Sequence, residues 1–232
     1  MATRAIDSRS SETRVSRPEA RPEARADSRA RRYDPAETKQ RVLAAAHMLF
    51  STKGFANTGT ADIAREADVS EGSIFYHFGS KKALLAELGA RHGQMMIETM
   101  EQGDRLEDLE PGITVPRLFK FCRENMLWEG VTGESCEGSP GPKAAMAHNP
   151  EAEPFYHAAK ALTTDWIFRQ MTVSMAKRGI SGVEIDIASS FIHHVVGDAI
   201  DRVLTAPTPE EAARVEKETV RFVRAACNYP TA

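Results

Sequence analysis

Between Ser70 and Tyr76 the chain crowds together side chains that can donate or accept hydrogen bonds: Ser70, Glu71, Ser73 and Tyr76. If this stretch is helical, Ile74 and Phe78 share one face at i,i+4 spacing and turn inward. Glu71, Ser73, Tyr76 and His77 then point elsewhere. Hydroxyls, a carboxylate and a phenol on a free helix face can read base-pair edges in a DNA major groove. Glu71 repels phosphate but can accept from the N4 amino group of cytosine. Just beyond, Lys81 and Lys82 can reach a phosphate backbone, where they add affinity and register but no sequence information.

A second set of residues is apolar. Phe119, Phe121, Met126 and Trp128, then Phe155, Tyr156, Trp166, Phe168 and Met171, gather in the later part of the chain, with Phe191 and His193 following. Aromatics and Met can line an apolar cavity with a few polar hooks such as His157 or His193. Each of them can equally be ordinary core.

Catalysis finds no comparable set. His194 and Asp198 stand at i,i+4 beside His193, a spacing that suits a metal pair, but no third ligand is visible. Cys122, Cys136 and Cys227 are widely spaced and odd in number, so they form neither a zinc pattern nor a disulfide framework. No G-x-S-x-G elbow occurs. The expectation is a protein that is not an enzyme and holds no metal or cofactor.

The polar residues need two short helices and a turn to hold them. Ala61 to Ala67 places Ile63, Ala64 and Ala67 on one helical face. Asp68-Val69 breaks that pattern, and Asp tolerates the left-handed conformation of a tight turn. Ser70 is a good N-cap for the next helix, because its hydroxyl accepts an otherwise orphan backbone N–H. A helix, a short turn and a capped second helix make a helix-turn-helix, whose second helix fits the major groove.

From Asp34 to about Gln94 the chain resembles the N-terminal domain of the TetR/AcrR family of bacterial transcriptional regulators. The matching residues are Gly54-Phe55, Thr58, Ile63-Ala64, Ala67, Val69-Ser70, Gly72-Ser73, His77-Phe78, Lys81 and Leu84-Leu85. The resemblance implies a DNA-binding domain over residues 34–96, with its helix-turn-helix at about 59–78. It implies a larger helical ligand-binding and dimerisation domain over residues 97–232, with a homodimer joined by the last two helices. The candidate DNA-contacting residues are Thr58, Gly59, Thr60, Ser70, Glu71, Gly72, Ser73, Phe75, Tyr76, His77, Lys81 and Lys82, with Ser70, Glu71, Ser73 and Tyr76 expected at base edges and Thr58, Thr60, His77, Lys81 and Lys82 on the backbone. The candidate ligand-binding residues are Phe119, Met126, Trp128, Tyr156, Trp166, Phe191 and His193. Four positions depart from the family pattern. Gly59 stands where a hydroxyl residue is usual, Asp68 where Gly is usual, Glu71 where Lys is common and Phe75 where Tyr is usual. These changes bear on which operator is read.

Around that segment the sequence reads as helix throughout, with no strand pattern, so the expected fold class is all-α. Residues 1–33 are an Arg-rich, Pro-broken leader with few large apolar residues, expected to be disordered. It is either an arm that adds non-specific DNA affinity or a solvated tail. Asp34-Pro35-Ala36-Glu37 opens the first helix as a capping box, and Gly54 ends it. Ser80 caps a helix running to about Gln102, and Gly103 to Pro116 reads as a loop. Further helices are expected at about Val115–Glu129, Lys143–His148, Glu151–Arg178, Glu184–Thr205 and Pro209–Asn228. Gly130 to Pro142 is the connector, rich in Gly, Ser and Pro.

The chain has 232 residues, 41% of them apolar, which suits a soluble globular protein. Its net charge of −3 divides unevenly: Met1 to Glu87 carries 15 Lys/Arg against 12 Asp/Glu, and the remainder 15 against 21. A basic front and an acidic back suit contact with nucleic acid at one end only. No apolar run is long enough to span a bilayer and no secretory signal is visible, so a cytoplasmic location is expected. The sequence therefore predicts a homodimeric repressor on a palindromic operator, released by a small, largely apolar ligand. Two alternatives are an activator or nucleoid-type protein without an effector, and a small-molecule sensor acting through a protein partner.

Overall fold

The computed structural model describes residues 34–125 and 152–229. The expected leader, the Gly130–Pro142 connector and the short helix at Lys143–His148 lie outside the described residues, as do Met126 and Trp128. Those that are described form helices and no strand, in keeping with the all-α expectation. In chain order the helices are α1 (Pro35–Lys53), α2 (Thr60–Glu66), α3 (Glu71–Phe78), α4 (Lys81–Glu101), α5 (Pro111–Glu124), α6 (Glu153–Arg178), α7 (Ile185–Leu204) and α8 (Pro209–Ala226). Up to Glu37 the described chain supplies only Asp34 and the first turn of α1, where Asp34 Oδ1 accepts from the Ala36 N–H at 2.8 Å. From Thr38 onward the chain forms one compact unit.

Local signals set most of the boundaries. Gly54 takes φ 81° and stops α1. Ser70 Oγ accepts from the Ser73 N–H at 3.2 Å, Ser80 Oγ from Ala83 at 3.1 Å and Thr208 Oγ1 from Glu211 at 3.2 Å. Each satisfies one orphan donor of a first turn. Asp68 sits at φ 50°, the left-handed turn expected of it. Gly179 at φ 65° ends α6, because it reaches the left-handed region without a Cβ penalty.

One boundary differs from expectation. The sequence places a loop up to Pro116 and a helix from Val115, whereas α5 starts at Pro111. Pro111 fits the first helical position, whose N–H has no partner to lose. Pro116 then lies inside the helix. It removes one backbone bond, and the helix continues on the apolar face of Val115, Leu118 and Phe119.

Three apolar clusters hold the unit together. The first joins Val42, Ala46 and Phe50 of α1, Ile63 of α2, Ile74 of α3, Leu84 and Leu88 of α4 and Phe155 of α6. The second brings Met100, Leu118, Trp166, Met171, Ile192, Val223 and Tyr229 together. The third is smaller: Val115, Phe119, Ala199 and Val203. Helix α4 begins in the first cluster and ends in the second.

Candidate nucleic-acid interface and apolar cavity

Ile74, fully buried, fixes α3 on the first cluster, and Phe78 packs partly against it. The opposite face is bare. Phe75 is 50% and Tyr76 75% exposed, and Ser70, Glu71 and Gly72 are exposed beside them. Large apolar rings held out in solvent at the free face of a short helix call for a partner. The Ser70 and Ser73 hydroxyls lie 2.8 Å apart, and one donates to the other. Glu71 accepts from the Thr60 hydroxyl, tying the first turn of α3 to the first turn of α2. At the start of α2 the exposed Gly59 N–H donates to Asp62 Oδ2 at 3.3 Å. The Arg65 bond, then the Gly59 bond, holds the Asp62 carboxyl below its ordinary value.

Three expected DNA contacts are placed differently. Thr58 is buried, its hydroxyl donating to Gly54 O at 2.8 Å and to Leu49 O at 3.4 Å. It closes the α1–α2 turn and offers nothing to a phosphate. His77 turns Nε2 into the protein, where that atom has no hydrogen-bond partner. Lys81 is half-buried, with Nζ donating to Phe55 O at 2.9 Å and Thr58 O at 3.0 Å, 4.1 Å from the Phe55 ring centre. Lys82 remains exposed.

Arg41 escaped the sequence reading. It reaches from α1 to the turn between α2 and α3, where Nε donates to Ala67 O at 3.0 Å and Nη2 donates to Asp68 O. Its signal is invisible in periodicity, because the contact spans 26 residues.

A cavity of about 50 Å³ lies between α4, α5, α6, α7 and the end of α8. Met100, Val115, Leu118, Trp166, Met171, Ile192 and Val223 supply apolar walls. The polar wall groups are already paired. Trp166 Nε1 donates to Glu101 Oε1 at 2.7 Å, and Gln170 Nε2 to Leu109 O at 2.9 Å and Ser174 Oγ at 3.0 Å. Ser174 Oγ and Tyr229 Oη lie 2.7 Å apart. Cys227 also lines it, and burial pushes its thiol up to about 11.

Of the candidate ligand-binding residues that are described, the structure brings only Trp166 to this cavity. Phe119 belongs to the third cluster, and Tyr156 packs against the first. His193 Nδ1 lies 3.4 Å from the Thr163 hydroxyl. Phe191 is 66% exposed, because its neighbour Ile192 takes the inward position on α7. Gln170, Tyr229 and Cys227 were missed; Tyr229 follows the last helix, where no periodic pattern marks it. Among the described residues no group of His, Cys, Asp and Glu could hold a metal ion. No described helix is long and apolar enough to cross a membrane.

Residues 42–88 match the family model described as "Bacterial regulatory proteins, tetR family". The uncharacterized HTH-type transcriptional regulator YvkB of Bacillus subtilis is 39% identical over 74 residues, 31% of this chain. That match spans 39% of YvkB's own length. A solved structure described as a TetR-family transcriptional regulator of Syntrophomonas wolfei superposes with a TM-score of 0.61 at 15% identity, covering 86% of this chain and 99% of that one. The transcriptional regulator FadR of Bacillus subtilis, solved in complex with stearoyl-CoA, gives 0.56 at 13% identity, covering 81% of this chain and 98% of FadR. Identities this low speak for the fold alone.

Proposed function

We propose that this chain, whose residues 42–88 match the TetR family of bacterial regulatory proteins, is a homodimeric transcriptional repressor, released from a palindromic operator by a small, largely apolar ligand. The observation that carries the DNA reading is α3. Ile74 anchors it while Ser70, Glu71, Gly72, Ser73, Phe75 and Tyr76 face outward. In this reading residues 34–96 are the DNA-binding domain and residues 97–232 the ligand-binding and dimerisation domain. Ser70, Ser73 and Tyr76 supply base-edge contacts, and Phe75 packs apolar surface in the groove. Gly59, Thr60 and Lys82 position the backbone. Glu71 faces bases and phosphates with a carboxylate already engaged by Thr60.

Dimerisation through α7 and α8 is supported by their outer face. Ile187 is 51%, Phe191 66% and Phe222 50% exposed. A monomer seldom leaves rings of this size in water on one helix pair. A two-fold axis through that pair makes an isologous interface and repeats α3 twice.

The cavity supports the effector. Its walls are apolar and its polar groups are spent internally, so it favours an uncharged compound. At about 50 Å³ it admits a larger ligand only as the surrounding helices part. FadR's stearoyl-CoA shows that a protein of this fold can take a long acyl ligand.

The test is selection of bound duplexes from a random library, followed by footprinting. The expected result is a palindrome with half-site centres about 34 Å apart, or a multiple of that. A library that yields no sequence above background retention would defeat the reading.

A further inference from the structure

Two cations beside the helix-turn-helix, Lys81 and Arg41, are turned onto backbone carbonyls. We infer that Lys81 and Arg41 are positioning residues of the helix-turn-helix, two cations spent on backbone carbonyls at the joints of the motif and not on DNA. This rests on the DNA reading above and reassigns the residues that such a reading would first place on phosphate.

Lys81 sits at the first position of α4. Its ammonium has three donors. Two go to the carbonyls of Phe55 and Thr58, at 2.9 and 3.0 Å, and the Phe55 ring lies 4.1 Å away. Phe55 and Thr58 belong to the turn that leads into α2. The Phe55 carbonyl also accepts from the Thr58 N–H at 3.3 Å, and Thr58 closes the same turn with its hydroxyl. A phosphate would find only one of the three donors uncommitted, on a half-buried side chain already held by two carbonyls and the ring. Lys82 is exposed.

Arg41 does the equivalent at the other joint. Its Nε donates to Ala67 O at 3.0 Å, its Nη2 donates to Asp68 O, and the Asp68 carboxylate is 3.5 Å from Nη2. Ala67 and Asp68 are the residues where the chain leaves α2, with Asp68 in the left-handed conformation at φ 50°. One clamp therefore comes from α4 and the other from α1. Between them they fix where α2 begins and where it ends, and so the angle at which α3 is presented. Helix α4 also reaches the cavity through Met100, and the Lys81 bonds join that same helix directly to the turn before α2.

The experiment compares Lys81→Met, Lys81→Arg and Lys82→Met in two measurements. In the DNA-free protein, amide hydrogen exchange of Lys81→Met should accelerate over residues 54–63 and nowhere else. Lys81→Arg, which can still donate to two carbonyls, should restore protection. On DNA, Lys81→Met, which removes both carbonyl bonds, should lose operator preference over random duplex by about tenfold. Its dependence of log K on log salt should match the parent on both duplexes. Lys82→Met should instead lower that slope by about 0.9 and weaken both duplexes alike. If Lys81→Met lowers the slope as Lys82→Met does, Lys81 is a phosphate contact and the clamp is refuted. Unchanged exchange over residues 54–63 refutes it too. A parent protein with no operator preference would sink the DNA reading, while the exchange result would still decide the clamp. Lys81→Gln gives the same comparison if the Met variant does not fold.

Discussion

His92 lies on α4 with its ring 5.3 Å from that of Phe121 and 5.5 Å from that of Phe155. Burial holds its pKa down to about 4, and the charge of nearby His47 adds a smaller push in the same direction. Burial lowers His47 as well. In the unfolded chain an imidazole titrates near 6.5. Between about 4 and 6.5 the unfolded state therefore binds a proton that the folded state refuses. Stability is fully present above that window and is lost as pH falls through it. The gap corresponds to about 3 kcal/mol at most. Urea titrations across the window should show that loss, and His92→Phe should flatten it. A His92→Phe curve as steep as the parent's would assign the dependence to other groups. The cysteines are quieter. Burial raises Cys122 to about 12, so neither it nor Cys227 is a nucleophile near neutral pH. Side-chain roles that depend on a remote partner were the illegible ones. Lys81 and Lys82 are adjacent and identical in type, and only the fold shows that one faces the Phe55 and Thr58 carbonyls.

At the scale of elements, α4 and α6 pack along each other more extensively than any other described pair. Gly89 and Gly93 make the approach possible. A Cβ on Gly89 would lie 2.0 Å from the Phe155 carbonyl oxygen, and one on Gly93 would lie 3.1 Å from the Ala159 Cα and carbonyl oxygen. Backbone cannot swing aside as a side chain can, so Gly89→Ala must part the two helices. The cost should reach about 1–3 kcal/mol or more, with Gly93→Ala milder. Denaturant midpoints of the two variants check the order, and a Gly89→Ala midpoint equal to the parent's would mean that the helices separate freely. These glycines lie inside a helical pattern and give no sequence signal, since Gly there reads only as a weak helix former. Ends were easier to see than contacts. Ser70 and Ser80 cap where their chemistry suggested, and Asp68 and Gly54 take the turn conformations expected of them. Pro111 misled because a proline opening a helix and a proline in a loop look alike until the packing of Val115 and Leu118 selects one. On α7 the apolar residues fill more than one face, and the sequence could not say which would meet the core. Ile192 and Val196 turn inward, Ile187 and Phe191 outward, so Phe191 leaves the cavity and joins the surface proposed for the second subunit.

For the whole molecule, the proposed effector reading asks how a compound in the cavity would reach the proposed reading head. Helix α4 has 21 residues, about 30 Å at 1.5 Å per residue, and it spans from one to the other. At its far end Glu101 accepts from the Trp166 indole N–H at 2.7 Å, so a cavity wall is bonded to the last residue of α4. A ligand that wedges Trp166 aside moves or frees that end. It changes operator affinity only to the extent that it binds the two dimer shapes unequally. A coupling of about 1–3 kcal/mol would weaken the operator about five- to 150-fold, and the operator must weaken the ligand by the same factor. A thermal-shift screen of uncharged apolar compounds supplies the ligands, and a DNA-release assay tests each. Trp166→Ala should retain operator binding but lose release, because both the wall and the bond to Glu101 are gone. Trp166→Phe separates the two contributions. It keeps a ring against Met171 and Ile192 but cannot donate to Glu101, so ligand affinity should largely survive while the coupling shrinks. Should Trp166→Phe release DNA as readily as the parent, the signal does not pass through Glu101. If every stabilising compound leaves operator affinity unchanged in the parent protein, the cavity is not an effector site and the regulator works without one.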